Sequence, residues 1–132
     1  MTACDCCSGW PYADCCAPWH AGGFAPTAEA LMRARFCAFA RRDAAYLIRT
    51  SDPLTRRKLR ARDFRESFAR TWTRLEIVAT AAGGAADTSG VVHFRAHHRS
   101  TGGEGVHDEI SRFVRSAGEW VYLDGQGQLP PA

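Results

Sequence analysis

No run of about 18 apolar residues occurs in this sequence, so it offers no segment to read as a membrane-spanning helix. The first residues carry no basic stretch followed by an apolar core, and no secretory signal is expected there. The expected location is therefore the cytoplasm, with no membrane partner. Thiols stay reduced there, so six cysteines in 132 residues do not imply a disulfide framework. A C-x-x-C pair at the start of a helix, the usual redox dithiol, is also absent. Neither sign of charge is in strong excess, since the formal net charge is only +3. Lysine is nearly missing, and arginine replaces it in a chain also rich in alanine and glycine, a pattern that coding bias alone produces. Core material is plentiful: 45% of residues are hydrophobic, and Phe 7, Trp 4 and Tyr 3 give fourteen aromatics. That suffices for one domain that needs no staples.

The positive charge is unevenly placed. From Arg41 to Arg74 eleven residues are basic and four are acidic. The segment "TRRKLRARDFRESFARTWTR" reads as a helix with a basic stripe that suits RNA, phosphates or an acidic protein. The alternative is a solvated helix face on which Asp63 and Glu66 offset part of the charge.

Five of the six cysteines fall in the first sixteen residues, "MTACDCCSGWPYADCC". Cys4 and Cys6 form a C-x-C pair, Cys15 and Cys16 are adjacent, and eight residues separate the pairs. Ser8, Gly9 and Pro11 suit a tight reversal that brings the pairs together. Four thiolates converging from two short turns make the closed tetrahedral site that structural Zn(II) prefers, with no position left for a catalytic water. Cys7 remains as a fifth thiol, either unused or able to replace a neighbour as ligand. His20, four residues past Cys16, is the other ligand type nearby and is assigned to capping or packing. A knuckle this small does not fold without its metal. Trp10 and Trp19 are its candidate exposed aromatics.

The run Cys4-Asp5-Cys6-Cys7-Ser8-Gly9, followed by Tyr12 and then Cys15-Cys16, resembles the SEC-C motif, the zinc-binding segment at the end of the SecA motor protein. That motif runs C-x-C-G-S-G, so Cys7 stands where it has glycine, at a turn that favours a residue without Cβ. The continuation ("CAPWH", "TAEALMRARFCAFARRDAAYLIRT", "EISRF" and "GEWVYLDG") is similar to the bacterial YchJ family over nearly the whole chain. The resemblance implies a zinc knuckle at residues 1–24 and a nuclear transport factor 2-like α+β cone at residues 25–132. In such a cone N-terminal helices pack on a curved antiparallel sheet, often around an interior pocket. The resemblance also implies a protein or ribosome-associated partner, because SEC-C segments elsewhere dock their hosts onto other macromolecules.

Periodicity points to the same architecture. Pro26 and Thr27 suit a helix start with Glu29 near its positive end. Met32, Phe36, Phe39 and then Tyr46 or Leu47 recur at helical spacing on one apolar face. Cys37 lies beside that face and reads as a small buried apolar residue. Asp52-Pro53 breaks the chain, and Phe64, Phe68 and Trp72, spaced four apart, predict a second helix. The period then falls to two, at Leu75, Ile77 and Ala79 and again at Val92, Phe94, Ala96 and His98. Further strands are expected from about Val106 to Arg115 and from Trp120 to Leu123. Helices first and a meander afterwards make an α+β domain.

On the third strand, alternation puts His107, Glu109, Ser111 and Phe113 on one face, and Asp108, Ile110 and Arg112 on the other. The candidate pocket residues are His98, from the apolar face of its strand, with Glu109, Ser111 and Arg112, which match the YchJ segment E-x-S-R-F. They either bind a small polar ligand or form a cross-strand network that holds the sheet's curve. No nucleophile–base–orienter set can be placed, so no catalytic residue is assigned. His93 and His97 would be about 13 Å apart along one strand face, too far to chelate one ion. Two functions follow, beside the plainer reading that zinc only staples the N-terminus to the cone. The first is a non-enzymatic interaction module that uses the zinc knuckle, with RNA contact through Arg41–Arg74 if the target is RNA-rich. The alternative is a small-molecule-binding protein or enzyme that uses the cone interior.

Overall fold

The computed structural model describes residues 2–130. Its C-terminal half is an antiparallel meander of four strands in sequence order: β1 Thr71–Ala82, β2 Ser89–Ser100, β3 Gly103–Ser116 and β4 Glu119–Asp124. Alternation sets the faces of this sheet. On β2, Val92, Phe94 and Ala96 are buried, and on β3 Ser111 and Phe113 are buried. The register pairs Val92 with Ser111 and Phe94 with Glu109, so the polar β3 residues enter the same face as the apolar β2 ones. Irregularities fall between Trp72 and Arg74, between Ile77 and Ala79, and between Arg112 and Phe113. Such interruptions bend strands and add twist, which curves the sheet around what lies on its inner face.

What lies there is a set of helices: α1 Ala17–His20, α2 Ala28–Ala40, α3 Ala44–Arg49, α4 Pro53–Arg56 and α5 Arg65–Phe68. Side-chain oxygens start three of them. Thr27 accepts from the Ala30 amide at 3.1 Å, Asp43 from Tyr46 at 3.1 Å, and Asp52 from Leu54 at 3.2 Å, with Pro53 at the first turn of α4. α2 is the central element. Leu31, Met32, Ala34, Arg35, Phe36, Cys37 and Ala38 are all buried, a spread too wide for one face. The helix is covered twice, by the sheet on one side and by the N-terminal segment on the other. Among the described residues no helix is long and apolar enough to cross a membrane.

Three expectations about the helices need correction. The apolar face running from Met32 to Leu47 belongs to two helices rather than one. α2 ends at Ala40, Arg42 takes a left-handed φ of 57°, and Asp43 caps a new start. Phe64, Phe68 and Trp72 do not share a helix either. Phe64 ends a 3-10 turn (Ala61–Phe64), Phe68 ends α5, and Trp72 lies in β1, its Nε1 donating to the Ser67 carbonyl at 2.9 Å. The spacing reported a real contact by another route, because all three rings pack on Phe39 at centroid distances of 6.0, 6.3 and 5.9 Å. The basic segment after Thr55 is likewise no continuous helix, and its charges project from α4, the 3-10 turn, α5 and the start of β1.

Phe113 is fully buried at the β3–β4 junction, with its ring 5.9 Å from that of Tyr122. Phe113→Ala is expected to cost about 3–5 kcal/mol of stability, read as a lowered urea midpoint with an unchanged slope.

Candidate metal centre

The N-terminal segment folds as two linked reversals. The Cys4 amide donates to the Trp10 carbonyl at 2.9 Å and the Cys7 amide to the Cys4 carbonyl at 3.2 Å, closing a loop that turns at Cys7 and Gly9. Both turning residues have positive φ, 66° and 89°. A 3-10 turn at Tyr12–Asp14 then delivers Cys15 and Cys16 at the entrance to α1. The reversals bring the Sγ atoms of Cys4, Cys6, Cys15 and Cys16 within 4.8 Å of one another. The Cys6–Cys15 and Cys15–Cys16 sulfur separations are 3.6 and 3.9 Å. Four thiolates about 2.3 Å from a tetrahedral ion stand about 3.8 Å apart. The donor set therefore fits a closed, all-sulfur site for one metal ion.

Protons are unevenly held among these sulfurs. Hydrogen bonds from Cys16 and Cys37 depress the pKa of Cys6, whereas contacts with Cys37 and Cys6 raise that of Cys16. Burial raises Cys15. Metal binding needs thiolates, so affinity for metal falls as pH falls.

Cys37 is more than a small apolar residue. It is fully buried on α2, as its position beside the apolar face implied, but its Sγ lies 3.3 Å from that of Cys4. It is a further thiol packed on the cluster from the cone side, within hydrogen-bond distance of the Cys4 sulfur. The contact spans 33 residues, so no local spacing announces it. Cys7 stays outside the set of four. Its side chain is exposed, and its sulfur accepts from the Leu75 amide at 3.5 Å. Its left-handed backbone explains why the SEC-C pattern has glycine at this point. His20 is engaged at both ring nitrogens. Nε2 donates to the Ala34 carbonyl at 2.8 Å, which leaves Nδ1 to accept from Tyr12 Oη at 2.7 Å. It pins the knuckle to α2, the packing role expected of it. Of the two tryptophans only Trp10 is prominent, at 65% exposed; Trp19 is half-buried and packs on the core.

Arginines complete the attachment. Arg33 Nη1 donates to the Cys6 carbonyl at 2.9 Å. Arg41 Nε reaches Asp5 at 3.1 Å while its guanidinium lies 3.6 Å from the Tyr12 ring centroid. Arg49 donates to the Trp19 carbonyl at 3.0 Å. Part of the basic stretch is thus spent on internal contacts, and Arg57, Lys58, Arg62 and Arg65 are among the members left exposed.

The candidate pocket residues divide. Glu109 and Ser111 line a cavity of about 270 Å³ between α2 and the sheet, together with Arg35, His107 and Tyr122. Glu109 accepts from Ser111 Oγ at 2.5 Å and from Tyr122 Oη at 3.0 Å, and contacts His107 Nε2 at 3.1 Å. Burial pushes its carboxyl up, but these three partners together hold it below its ordinary value. His98 and Arg112 are not in this cavity. Arg112 falls on the outer face and pairs with Asp124 through both carboxylate oxygens, as alternation from Glu109 and Ser111 dictates. His98 does belong to the inner face, but it sits edge-on to Trp72 at 5.1 Å and covers Gly105, beyond the cavity's end. Burial lowers its pKa. His93 and His97 are held by different carboxylates, Asp108 and Glu76, each at 2.7 Å. Sequence reasoning missed Arg35, an arginine within an otherwise apolar helix face, and Tyr122.

Over residues 27–125 the chain matches the family described as the YchJ middle, NTF2-like domain. A UPF0225 protein of Streptomyces coelicolor is 49% identical to it, the alignment covering 93% of this chain and 94% of that one. A UPF0225 protein of Corynebacterium efficiens is 47% identical, with 92% and 91% covered. Among solved structures it is similar to a SEC-C motif containing protein from Rhodopseudomonas palustris, with 32% identity, a TM-score of 0.81, and 95% of this chain and 98% of that one covered. A second SEC-C motif containing protein, from Psychrobacter arcticus, is 27% identical with a TM-score of 0.82, covering 100% of this chain and 86% of that one.

Because Cys7 carries a left-handed backbone and lies outside the cluster of four sulfurs, Cys7→Gly is expected to raise stability by about 0.5–1 kcal/mol. Metal content measured alongside the melting curve should not change. A loss of bound metal in this variant would make Cys7 a ligand.

Proposed function

The chain belongs to the YchJ family, and on that footing we propose that Cys4, Cys6, Cys15 and Cys16 hold one structural Zn(II). The ion fastens residues 1–24 as a knuckle onto the cone of residues 25–132, and the knuckle docks the protein on a protein or ribosome-associated partner. The convergence of four sulfurs within 4.8 Å carries this reading. The ion supplies a cross-link and neutralises part of the thiolate charge. The chain does the rest: Arg33 and Arg41 lie against the negative knuckle, and Cys37 supports it from below. With four protein sulfurs as ligands no position remains for a substrate, so the metal site is structural rather than catalytic. In the reducing cytoplasm the thiols stay available to the metal.

Trp10 is the contact residue on the outward side, an exposed indole on a loop closed by backbone hydrogen bonds. Tryptophan is enriched among residues that dominate binding energy. The exposed Arg57, Lys58, Arg62 and Arg65 favour a partner that contains RNA, and such binding weakens steeply with salt.

The test has two parts. Metal stoichiometry by mass spectrometry, on protein purified without chelator or nickel, should give one zinc per chain, lost in Cys15→Ser; no metal, with oxidised thiols instead, would sink the site. Co-sedimentation with purified ribosomes should then show binding that falls with salt and drops at least about tenfold in Trp10→Ala. Equal sedimentation of variant and wild type would remove the docking role and leave zinc as a fastening alone.

A further inference from the structure

The cavity between α2 and the sheet holds a charge that the knuckle does not use. Arg35, 5% exposed, lines it from α2. Both of its hydrogen bonds leave from Nη1, to the Leu47 carbonyl at 3.0 Å and to Thr50 Oγ1 at 2.7 Å. Its Nε–Nη2 edge meets no protein acceptor among the described residues. That edge is not sealed in protein either, since His98 Nδ1 is the one fully buried side-chain nitrogen or oxygen among them that lacks a partner. The edge therefore opens on the cavity.

No described carboxylate forms an ion pair with Arg35. The Tyr122 ring lies 4.6 Å from its guanidinium carbon. Burial pushes the guanidinium down to about 10, which still leaves it charged at neutral pH. Glu109 is the one acidic side chain in the cavity wall, and Ser111, Tyr122 and His107 already engage it. Arg70 adds a second cation to the lining. Glu109 acts on Arg35 only through space, a buried cation without a direct ion pair is unfavourable, and an anion seated on its free edge relieves it.

We propose that this cavity binds a small aromatic carboxylic acid, its carboxylate on the Nε–Nη2 edge of Arg35 and its ring among Phe36, Phe39, Trp72 and Phe94. The guanidinium fork matches a planar two-oxygen anion, and the aromatic walls take the ring by apolar burial. A volume of about 270 Å³ corresponds to about nine waters' share of the liquid, room for one ring and a short acid arm.

Three probes of one shape test this on the full-length, metal-loaded chain: phenylacetate, the neutral 2-phenylethanol and the cationic 2-phenylethylamine. Titration calorimetry should show phenylacetate binding at least about tenfold more tightly than the alcohol, as charged hydrogen bonds do, with the amine weakest. In NMR spectra phenylacetate should shift the Arg35 side-chain and the Phe94 and Ser111 amide resonances. Arg35→Gln should abolish the preference for the acid; since Nη1 also anchors α3, the three-probe ranking on the wild type decides if that variant fails to fold. Equal affinity for acid and alcohol, tighter binding of the amine, shifts confined to the outer surface, or no phenylacetate binding at millimolar concentration would each overturn the proposal. None of these results depends on whether the knuckle docks a partner.

Discussion

Sulfur packing is what the N-terminal segment is built on. From residue 2 to residue 24 the only buried side chains are those of Cys4, Cys6 and Cys16. The segment has no aliphatic core of its own, and the turns at Cys7 and Gly9 and the 3-10 turn before Cys15 serve to bring thiols together. A fold with such an interior gains little from the hydrophobic effect. A metal joining the sulfurs would add a cross-link to the contacts that His20, Arg33, Arg41 and Arg49 make with this segment.

The same cluster reaches into the cone. Cys37 touches Cys4 from α2, His20 is held by an α2 carbonyl, and Arg33 and Arg41 reach back to the knuckle backbone and to Asp5. α2 is therefore clamped between two different interiors, thiol-rich on one side and aromatic on the other. The aromatic side does not close completely. Arg35 and Glu109 keep a polar end in the cavity, and their neighbours settle the carboxylate but not the guanidinium. One helix thus borders both the thiol cluster and the cavity.

Much of this was legible in the sequence, for physical reasons that also explain the gaps. The thiol set follows from chain spacing, because short turns leave few ways to arrange two close pairs. The meander follows from a period of two, which only a half-buried strand produces. The same alternation puts Arg112 on the outer face, and naming it a pocket residue on the strength of the E-x-S-R-F segment set that alternation aside. What failed was long-range or unmarked. The break at Arg42 carries neither glycine nor proline, and the i, i+4 run of Phe64, Phe68 and Trp72 mimics a helix while its rings converge on Phe39 from three elements. Cys37 and Arg35 acquire their roles only through partners from other parts of the fold, and no pattern local to α2 reveals that.

The knuckle turns on the coordination of one ion, and zinc K-edge X-ray absorption on the purified protein tests that coordination most directly. Four sulfurs at about 2.3 Å, with no nitrogen or oxygen in the shell, is the predicted result. A shell of three sulfurs with a nitrogen or oxygen would contradict it, because one of Cys4, Cys6, Cys15 and Cys16 would then lie outside the site and the closed, structural character of the knuckle would be lost.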